Sequence, residues 1–254
     1  MLLCVDIANE DINLGLFDGE RLAAHWRLET QIGRTEDEYG VMLAALYRQA
    51  ELETRETEAA IIASVVPPLL PVWQQVCRRL AGQPPLVVGA GIKTGLRIRR
   101  EAPRQLGADR VANAVAAKTL FGGPICVVDF GTTTTFDALD AQGDYLGHAI
   151  APGLGMAAQA LAQGAMQLPS IPLARPDRVI GRNTVESMQA GLIFGYVGLV
   201  EGLVERFRGE LGEGMGVVAT GRHAPLIAQE TRVIQRLEPW LTLHGLRLIA
   251  QMNA

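Results

Sequence analysis

One short pattern occurs twice in the chain and limits the folds that the chain can adopt. The segments Val5–Asn9 and Val128–Thr132 each contain the end of an apolar run, an Asp, an apolar residue, a small residue and a polar residue. Each is followed by a strand, a glycine-containing turn and another strand, and then by helices that alternate with strands. This indicates a duplicated β-β-β-α-β-α unit. Two such units side by side would place both Asp-bearing hairpins at one cleft, which is a common location for a ligand site.

The composition favours an α/β fold with an aliphatic core. Hydrophobic residues make up 48% of the 254 residues, whereas aromatic residues make up only 5%. Buried strands of α/β proteins are rich in aliphatic side chains, so this balance suits a sheet covered by helices. The length allows one large domain or two small ones. We expect two halves, residues 1–105 and 106–254, which meet at a Gly- and Arg-rich connection over residues 89–103.

The charge and the cysteines exclude several classes of function. A formal net charge of −4 and a pI near 5.6 argue against a nucleic-acid-binding surface. The three cysteines, Cys4, Cys77 and Cys126, are odd in number and widely separated, which argues against a disulfide framework or a zinc site. No apolar run reaches the length of a membrane span, and the N-terminus enters a strand without a charged leader. We therefore expect a cytoplasmic protein in a reducing compartment, with no membrane or nucleic-acid partner.

Periodicity and turn residues predict the order of the elements. Thr35 and Glu38 have the spacing of a capping box, which predicts a helix that starts at Thr35. Asn183 and Thr184 precede a long apolar helix, which we expect to be mostly buried. After Gly221 we expect a helix and a terminal strand-like segment. The other predicted strands cover residues 2–7, 11–17, 21–28, 59–66, 86–88, 125–128, 145–150 and 216–220, and further helices follow residues 68, 106 and 153.

The second copy of the pattern contains the residues of a phosphate or cation corner. A buried strand is closed by Asp129, and Gly131 is followed by four threonines, Thr132–Thr135. Gly131 lets a turn approach a ligand closely, while hydroxyls and loop amides are donors for phosphate oxygens. The carboxylate of Asp129 is a suitable cation ligand. A plain β-hairpin with threonines on its exposed face explains the same residues, because Thr favours strands.

Several ordered motifs resemble those of the type III pantothenate kinases, a family of the acetate and sugar kinase/actin-like superfamily. The resemblance extends over nearly the whole chain, and it implies two RNase-H-like halves of the actin/sugar-kinase type with a cleft between them. The motifs that carry it are Val5–Asn9, Gly107–Arg110, Asp129–Thr135, Ala151–Gly153, Asn183–Ser187 and Ala219–Gly221.

The resemblance also implies an activity. That family transfers the γ-phosphate of ATP to pantothenate, which gives 4'-phosphopantothenate in the first step of coenzyme A biosynthesis. Its members are usually homodimers that need a divalent cation, expected to be Mg²⁺, and a monovalent cation, K⁺ or NH₄⁺. We therefore expect pantothenate as the substrate, and a homodimer in which the long helix from Thr184 buries its apolar face.

The resemblance assigns the catalytic base and most substrate contacts. A primary alcohol loses its proton as it attacks phosphorus, and a carboxylate is a suitable base. Asp109 matches the position that the family uses as this base, and Gly107, Ala108 and Arg110 are expected to contact the substrate with it. Arg110 would hold a carboxylate or phosphate bidentately. Without the resemblance, Asp109 is explained as a first-turn acid that favours the helix dipole.

The resemblance implies further ligand contacts in both halves. Asp129 matches the monovalent-cation ligand of the family, and Thr132 matches a position that contacts ATP. Thr184 matches a substrate-contacting position, although a plain helix cap explains it as well. The residues expected to bind ATP in the first half are Asp6, Asn9, Glu10 and Asp11.

The first loop departs from the family pattern, which is Asp-any-Gly-Asn-Thr. This chain has Ala8 in place of the Gly and Glu10 in place of the Thr, followed by Asp11. An alanine at a position with positive φ costs on the order of 1 kcal/mol. Two like charges about 4 Å apart repel by roughly 4 kcal/mol at a protein-surface dielectric, so the two acids oppose a polyanion. We expect weakened ATP binding, unless Asp6, Glu10 and Asp11 together hold a bridging Mg²⁺.

Two further positions depart from the family. Arg100 replaces an aromatic residue that contacts pantothenate, and it is expected to meet the substrate carboxylate. Arg222 stands where a second glycine is usual, near the nucleotide. These departures motivate an alternative function, a weakened or inactive relative that acts as a regulatory subunit or as the heterodimer partner of an intact relative. A sugar or acetate kinase with another substrate is disfavoured, because Gly107–Arg110 matches the pantothenate enzymes.

Overall fold

The computed structural model describes residues 1–99, 101–102 and 105–254. Arg100, which the sequence analysis assigns to the substrate site, lies outside these residues. The strands are β1 Leu2–Ile7, β2 Asp11–Asp18, β3 Arg21–Glu29, β4 Ala59–Ser64, β5 Leu86–Val87, β6 Ile125–Phe130, β7 Thr133–Leu139, β8 Tyr145–Pro152, β9 Gly216–Thr220 and β10 Arg236–Leu237. The helices are α1 Glu36–Gln49, α2 Leu70–Ala81, α3 Ala108–Phe121, α4 Leu154–Gly164, α5 Thr184–Leu211, α6 Ala224–Ala228 and α7 Leu241–Met252.

The first sheet has the strand order β3-β2-β1-β4-β5. Its central strand β1 pairs antiparallel with β2 and parallel with β4. The aliphatic runs of β1 and β4 are buried, as expected of central strands with both faces covered. Tyr39 and Tyr47 of α1 and Trp73 of α2 pack into the core on one face. Because β1 and β4 are parallel, their carboxyl ends lie at the same edge of the sheet.

The second sheet repeats this topology. Its order is β10-β9-β6-β7-β8, with β6 antiparallel to β7 and parallel to β9. Counted from β8, the order is that of the first sheet with each strand replaced by the fifth strand after it. The duplicated α/β architecture that the two Asp-bearing segments predict is therefore confirmed.

Side-chain caps start two helices at the predicted residues. At α1, the Thr35 N–H donates to Glu38 Oε2 at 2.8 Å and the Glu38 N–H donates to Thr35 Oγ1 at 3.4 Å, which completes the capping box. The hydrogen bond from the Thr35 backbone lowers the pKa of the Glu38 carboxyl. At α5, the Asn183 side chain accepts from the Glu186 N–H at 2.9 Å. Local sequence signals therefore locate both helix starts correctly.

The helix α5 is only partly buried. Its length and apolar composition would allow it to cross a membrane, which holds for no other helix in the part of the chain that the structure describes. The prediction that no apolar segment reaches the length of a membrane span is therefore wrong. Seven of its 28 residues are buried, and Ile193, Tyr196, Val200 and Val204 pack into the core of the second sheet. The helix is a core element on one face only, rather than mostly buried as predicted.

The chain forms two compact units. The first unit comprises Met1–Leu96, Glu101–Ala116 and Leu241–Ala254, and the second comprises Arg97–Arg100 and Ala117–Trp240. A single cut between residues 105 and 106 does not describe this division. The helix α7 accounts for part of the difference, because it packs on β1, β2 and β4 of the first sheet. Gly245 permits a close crossing with α3, since a Cβ atom there would collide with the backbone carbonyl of Ala112.

The segment after Gly221 also differs from the prediction. Instead of one helix and a terminal strand-like segment, the chain forms the short α6, the short strand β10 and then α7. Leu243, Leu246 and Ile249 of α7 are buried at a spacing of three residues, which is a helical rather than a strand pattern.

Candidate active site

Asp6 lies at the carboxyl edge of the first sheet. It is the second-last residue of β1 and is only 5% exposed. Asn13 pairs with Asp6 in the β1–β2 register, and its Nδ2 donates to Asp6 Oδ2 at 3.2 Å. Asn13 is a site residue that the sequence patterns do not predict, although its position opposite Asp6 in the hairpin is an available signal. The amide orients the carboxylate that begins the first loop.

The first loop is closed by hydrogen bonds rather than by a glycine conformation. The Ala8 N–H donates to the Asp11 carbonyl at 3.0 Å. Thr30, the residue after β3, stabilises the loop with two hydrogen bonds. Its Oγ1 donates to the Ala8 carbonyl at 2.7 Å, and its N–H donates to the Glu10 carbonyl at 2.9 Å. Among the described non-glycine residues only Glu51 has a positive φ. The expected backbone cost of Ala8 is therefore wrong, since Ala8 occupies an ordinary conformation.

The two extra acids of the first loop have different surroundings. Glu10 is exposed, as is Asn9, whereas Asp11 begins β2 and its Oδ1 lies 4.0 Å from Arg27 Nε. This arginine offsets part of the Asp11 charge, although a half-exposed pair contributes little energy. Within the described residues, no three His, Cys, Asp or Glu side chains are grouped so as to hold a metal ion. The suggestion that Asp6, Glu10 and Asp11 together hold Mg²⁺ is therefore wrong.

Asp109 lies at the start of α3, with its carboxylate against Gly107. Its Oδ1 accepts from the Arg110 N–H at 2.8 Å. A Cβ atom on Gly107 would collide with that same oxygen and would lie 3.5 Å from Val65 Cγ1. The Val65 N–H in turn donates to the Ile7 carbonyl at 3.0 Å. Asp109 is therefore at the edge where β1 and β4 end, which is also the edge of the first loop.

Asp129 occupies the equivalent edge of the second sheet. It pairs with Thr135 on β7 and with Thr220 on β9. Gly221 follows with a φ of +92°, and a Cβ atom there would lie 2.5 Å from Asp129 Oδ1 and 2.7 Å from the Phe130 backbone. Only glycine fits this position, both in conformation and in space. The end of β9 thus packs directly against the Asp129 carboxylate.

The turn after Asp129 is held by its own backbone. The Gly131 N–H donates to the Thr133 carbonyl and the Gly153 N–H donates to the Thr132 carbonyl, both at 3.1 Å. A Cβ atom on Gly153 would collide with the carbonyl oxygens of Gly131 and Thr132. These two amides already have acceptors, so the prediction that loop amides hold phosphate does not apply to them. The half-exposed Thr132 side chain supplies a hydroxyl at this turn.

Tyr196 of α5 supports this turn from behind. Its hydroxyl donates to the carbonyl of Pro152, the residue before Gly153, and its partial burial raises the pKa of the phenol. Gly153 and Gly221 belong to motifs that carry the family resemblance, but no site role is predicted for either glycine. The signal available for both was a glycine directly after a predicted strand.

The remaining predicted site residues that the structure describes include two exposed side chains, Thr184 and Arg222. Thr184 is the exposed first residue of α5, and the cap is Asn183, so the plain-cap explanation of Thr184 is wrong. Arg222 is exposed and follows Gly221 directly. Ala108 begins α3 beside Asp109. The structure thus brings Asp6 and Asp109 to one edge of the first unit, and Asp129, Thr132 and Arg222 to one edge of the second.

Comparisons with known proteins identify the family that carries this arrangement. A family model described as type III pantothenate kinase matches residues 2–206. A type III pantothenate kinase from Roseiflexus sp. (strain RS-1) is 50% identical over 253 residues, which cover 100% of this chain and 99% of that protein. The type III pantothenate kinase of Moorella thermoacetica is 48% identical over 253 residues and covers 100% of both chains.

A solved structure gives independent information on the fold. The activator of the 2-hydroxyisocaproyl-CoA dehydratase from Clostridium difficile superposes with a TM-score of 0.52 at 12% identity, covering 99% of this chain and 95% of that one. At this identity the similarity concerns the fold alone. The end-to-end identity to the kinases is what decides the family: the chain belongs to the type III pantothenate kinases.

Proposed function

We propose that the chain phosphorylates pantothenate with ATP and that Asp109 is the catalytic base. In this reaction the hydroxyl oxygen of pantothenate bonds to the γ-phosphorus while the bond from that phosphorus to the β–γ bridging oxygen breaks, which releases ADP. Asp109 accepts the hydroxyl proton and later returns it to water. The observation that supports this proposal is the position of Asp109 in the first turn of α3, at the edge of the first loop, in a chain that is 48% identical end to end to a type III pantothenate kinase.

The proposed nucleotide contacts come from both groups of residues. Asp6, Asn9, Glu10 and Asp11 would face ATP from the first loop, and Thr132 from the turn after Asp129. Two observations support a first loop that can bind ATP: Ala8 has an ordinary backbone conformation, and Arg27 lies close enough to Asp11 to offset part of its charge. The end-to-end kinase relatives likewise favour an active enzyme over a non-catalytic heterodimer partner.

The proposed cation sites fit the oxygen atoms available. Asp129 Oδ1 and the carbonyls of Gly131 and Thr132 belong to one turn, and oxygen ligands suit K⁺ or NH₄⁺. The absence of a three-acid cluster within the described ranges suits Mg²⁺ held mainly by phosphate oxygens and water. When bound, Mg²⁺ would neutralise charge on the transferred phosphoryl group.

The proposed pantothenate site contains Arg100, Thr184 and the segment Gly107–Arg110. The substrate carries a carboxylate, and a guanidinium holds a carboxylate with two parallel hydrogen bonds. Arg100 and Arg110 are the candidates for this contact, and Thr184 supplies an exposed hydroxyl.

We also propose a homodimer in a reducing compartment. Large apolar side chains are exposed on β8 and on the segment between α4 and α5, with Ile150 58%, Val179 66% and Ile180 83% exposed. Contiguous apolar surface marks interaction sites, so these side chains are candidates for burial in a dimer interface. Cys4, Cys77 and Cys126 are buried free thiols, which suits a cytoplasmic enzyme. A monomeric mass from light scattering would argue against the dimer.

The decisive experiment is a coupled assay of ADP release with the purified protein, ATP, Mg²⁺, K⁺ and pantothenate. We expect 4'-phosphopantothenate as the product, and a fall in kcat of about 10²–10⁴-fold for Asp109→Asn. Asp37→Asn is the matched control, because Asp37 is a first-turn acid of α1 with no proposed contact to substrate. Wild-type protein that forms no product at millimolar ATP, or an Asp109→Asn variant as active as Asp37→Asn, would refute the proposal.

A further inference from the structure

The first loop contains a backbone donor that no protein group uses. The Ala8 N–H donates to the Asp11 carbonyl at 3.0 Å. The next amide differs, because within the residues that the structure describes the Asn9 N–H donates to no acceptor. Asn9 is also exposed. A solvent-facing loop amide is a suitable donor for a phosphate oxygen, so the direction of this N–H matters in a loop proposed to face ATP.

The Ala8 carbonyl fixes the direction of this amide. The peptide unit that joins Ala8 to Asn9 is planar and trans, so its C=O and its N–H point in opposite directions. Thr30 Oγ1 donates to the Ala8 carbonyl at 2.7 Å. Because the carbonyl is held toward Thr30, the Asn9 N–H is directed away from Thr30.

Thr30 is held in place from both sides of the chain. It follows β3, which pairs with β2 and contributes Leu28 to the buried core. On its other side, the Gln31 N–H donates to the Tyr39 hydroxyl at 3.3 Å, and this hydroxyl donates to the Gln31 carbonyl at 3.1 Å. Tyr39 is fully buried and packs against Trp73. The Thr30 hydroxyl therefore has a fixed position from which it can restrain the loop.

Only one of the two bonds from Thr30 to the loop depends on its side chain. The Thr30 N–H donates to the Glu10 carbonyl, and any residue except proline can supply this donor. The bond to the Ala8 carbonyl needs a hydroxyl. Valine at residue 30 would keep the β-branched shape and would remove this one bond. The contribution of the hydroxyl can therefore be measured separately.

We propose that Thr30 is a positioning residue for ATP, because its hydroxyl directs the Asn9 N–H at the phosphate chain. The inference rests on the proposed function, which places the first loop against ATP, and it adds a residue from outside that loop. An amide that is oriented in advance improves affinity, because the ligand no longer has to supply the ordering free energy. Thr30 acts through Asn9 and does not itself contact the nucleotide.

Loss of the hydroxyl should weaken the binding of ATP alone. In Thr30→Val, KM for ATP and the calorimetric Kd of ATP with Mg²⁺ should rise about fivefold to tenfold, equivalent to about 1–1.4 kcal/mol, the size of one net hydrogen bond. Thr30→Ser keeps the hydroxyl and should restore both constants to within about twofold of wild type.

The other kinetic constants separate this role from a structural one. In Thr30→Val, kcat at saturating ATP and KM for pantothenate should stay within about twofold of wild type, because Thr30 is not placed at the base or at the substrate. A merely structural role would instead lower the fraction of active enzyme and leave KM for ATP unchanged.

The matched control is a second threonine of the same unit. Thr57 is 3% exposed, and its hydroxyl forms a hydrogen bond of 2.7 Å with the Tyr47 hydroxyl, which has the length of the Thr30 bond. Thr57 precedes β4, which is parallel to β1, so it lies at the sheet edge opposite to the first loop. Thr57→Val should therefore lose at least as much stability as Thr30→Val without a change in the Kd of ATP.

Hydrogen exchange tests the restraint without nucleotide. The Ala8 amide should exchange several-fold faster in Thr30→Val than in Thr57→Val, because the loop is released only in the first variant. Circular dichroism checks that each variant is folded. If Thr30→Val does not fold, Thr30→Ala is a second variant without the hydroxyl, and the same results are expected of it.

Weaker ATP binding in Thr30→Val, its restoration in Thr30→Ser and normal binding in Thr57→Val would support the inference. A Kd of ATP within twofold of wild type in Thr30→Val, or Thr30→Ser binding as weakly as Thr30→Val, would overturn it. Equal exchange of the Ala8 amide in Thr30→Val and Thr57→Val would overturn it as well. A wild-type protein that binds ATP but forms no phosphopantothenate would refute the proposed function instead, and the binding comparison would still decide the role of Thr30.

Discussion

Replacement of Gly221 by alanine should damage the second unit more than an equally strained glycine replacement elsewhere. Gly221 has a φ of +92°, and its Cβ position lies 2.5 Å from Asp129 Oδ1 and 2.7 Å from the backbone N and C of Phe130. Gly212, at the end of α5, has a φ of +96° with no atom within 4 Å of its Cβ position. The two sites share a positive φ of similar size and differ in the space available to a side chain.

The magnitudes follow from this comparison. A non-glycine residue in such a conformation costs about 1–3 kcal/mol, which applies to both variants. Packing an extra methyl group against fixed backbone atoms costs about 1–3 kcal/mol more, which applies only to Gly221→Ala. The gain from a stiffer unfolded chain is the same in both and cancels. We therefore expect Gly221→Ala to lose about 1–3 kcal/mol more unfolding free energy than Gly212→Ala.

Urea denaturation followed by circular dichroism measures this difference, and both glycines lie in the second unit, so they report on the same part of the chain. The K⁺ concentration that gives half-maximal activity should also rise in Gly221→Ala, because the Asp129 carboxylate has to move, and should not change in Gly212→Ala. Equal losses within about 0.5 kcal/mol, with equal m-values, would show that the close packing of Gly221 on Asp129 is not real.

Two other predictions concern Gly107 and the buried thiol of Cys77. Gly107→Ala should lower kcat about tenfold or more with little change in stability, because the new methyl group displaces the flexible Asp109 carboxylate. The control is Gly40→Ala in α1, which has open space at its Cβ position and should leave kcat unchanged. A Gly107→Ala enzyme with an unchanged kcat would contradict the assignment of Asp109 as the catalytic base. Burial raises the pKa of the Cys77 thiol from 9.0 to about 12. As the pH rises, this thiol therefore loses its proton in the unfolded chain before it does so in the folded protein. The unfolding free energy should consequently fall between pH 9 and 12, by up to about 1.4 kcal/mol per pH unit. Cys77→Ala should flatten this slope, and a slope that the substitution leaves unchanged would exclude this thiol as a cause.

The elements with local signals were predictable from the sequence. The capping pair Thr35 and Glu38 located α1, and the repeated Asp-bearing segments at Asp6 and Asp129 indicated the duplicated sheet. Hydrophobic periodicity, turn residues and caps act over a few positions, so they are visible in one sequence. For the same reason Asp129 and Gly131 were recognised as one corner.

The features that depend on distant residues were not predictable. Ala8 was expected to be strained, but Thr30, 22 residues away, fastens the loop in an ordinary conformation. The packing of Gly221 on Asp129 depends on β9 lying beside β6, which no local pattern reveals.

The return of α7 to the first sheet has a consequence for synthesis. A ribosome makes β1, β2 and β4 early, but the helix that covers them follows only after residues 117–240. At roughly 5–20 residues per second, that interval is on the order of 10 s. The second unit has all of its own chain once Trp240 is made, which is before the 12 residues of α7 are made, so it can complete its fold while the first sheet still has an uncovered apolar face. The order of folding on the ribosome should therefore be the reverse of the order of translation, and nascent chains stalled before Leu241 should be the ones that bind chaperones.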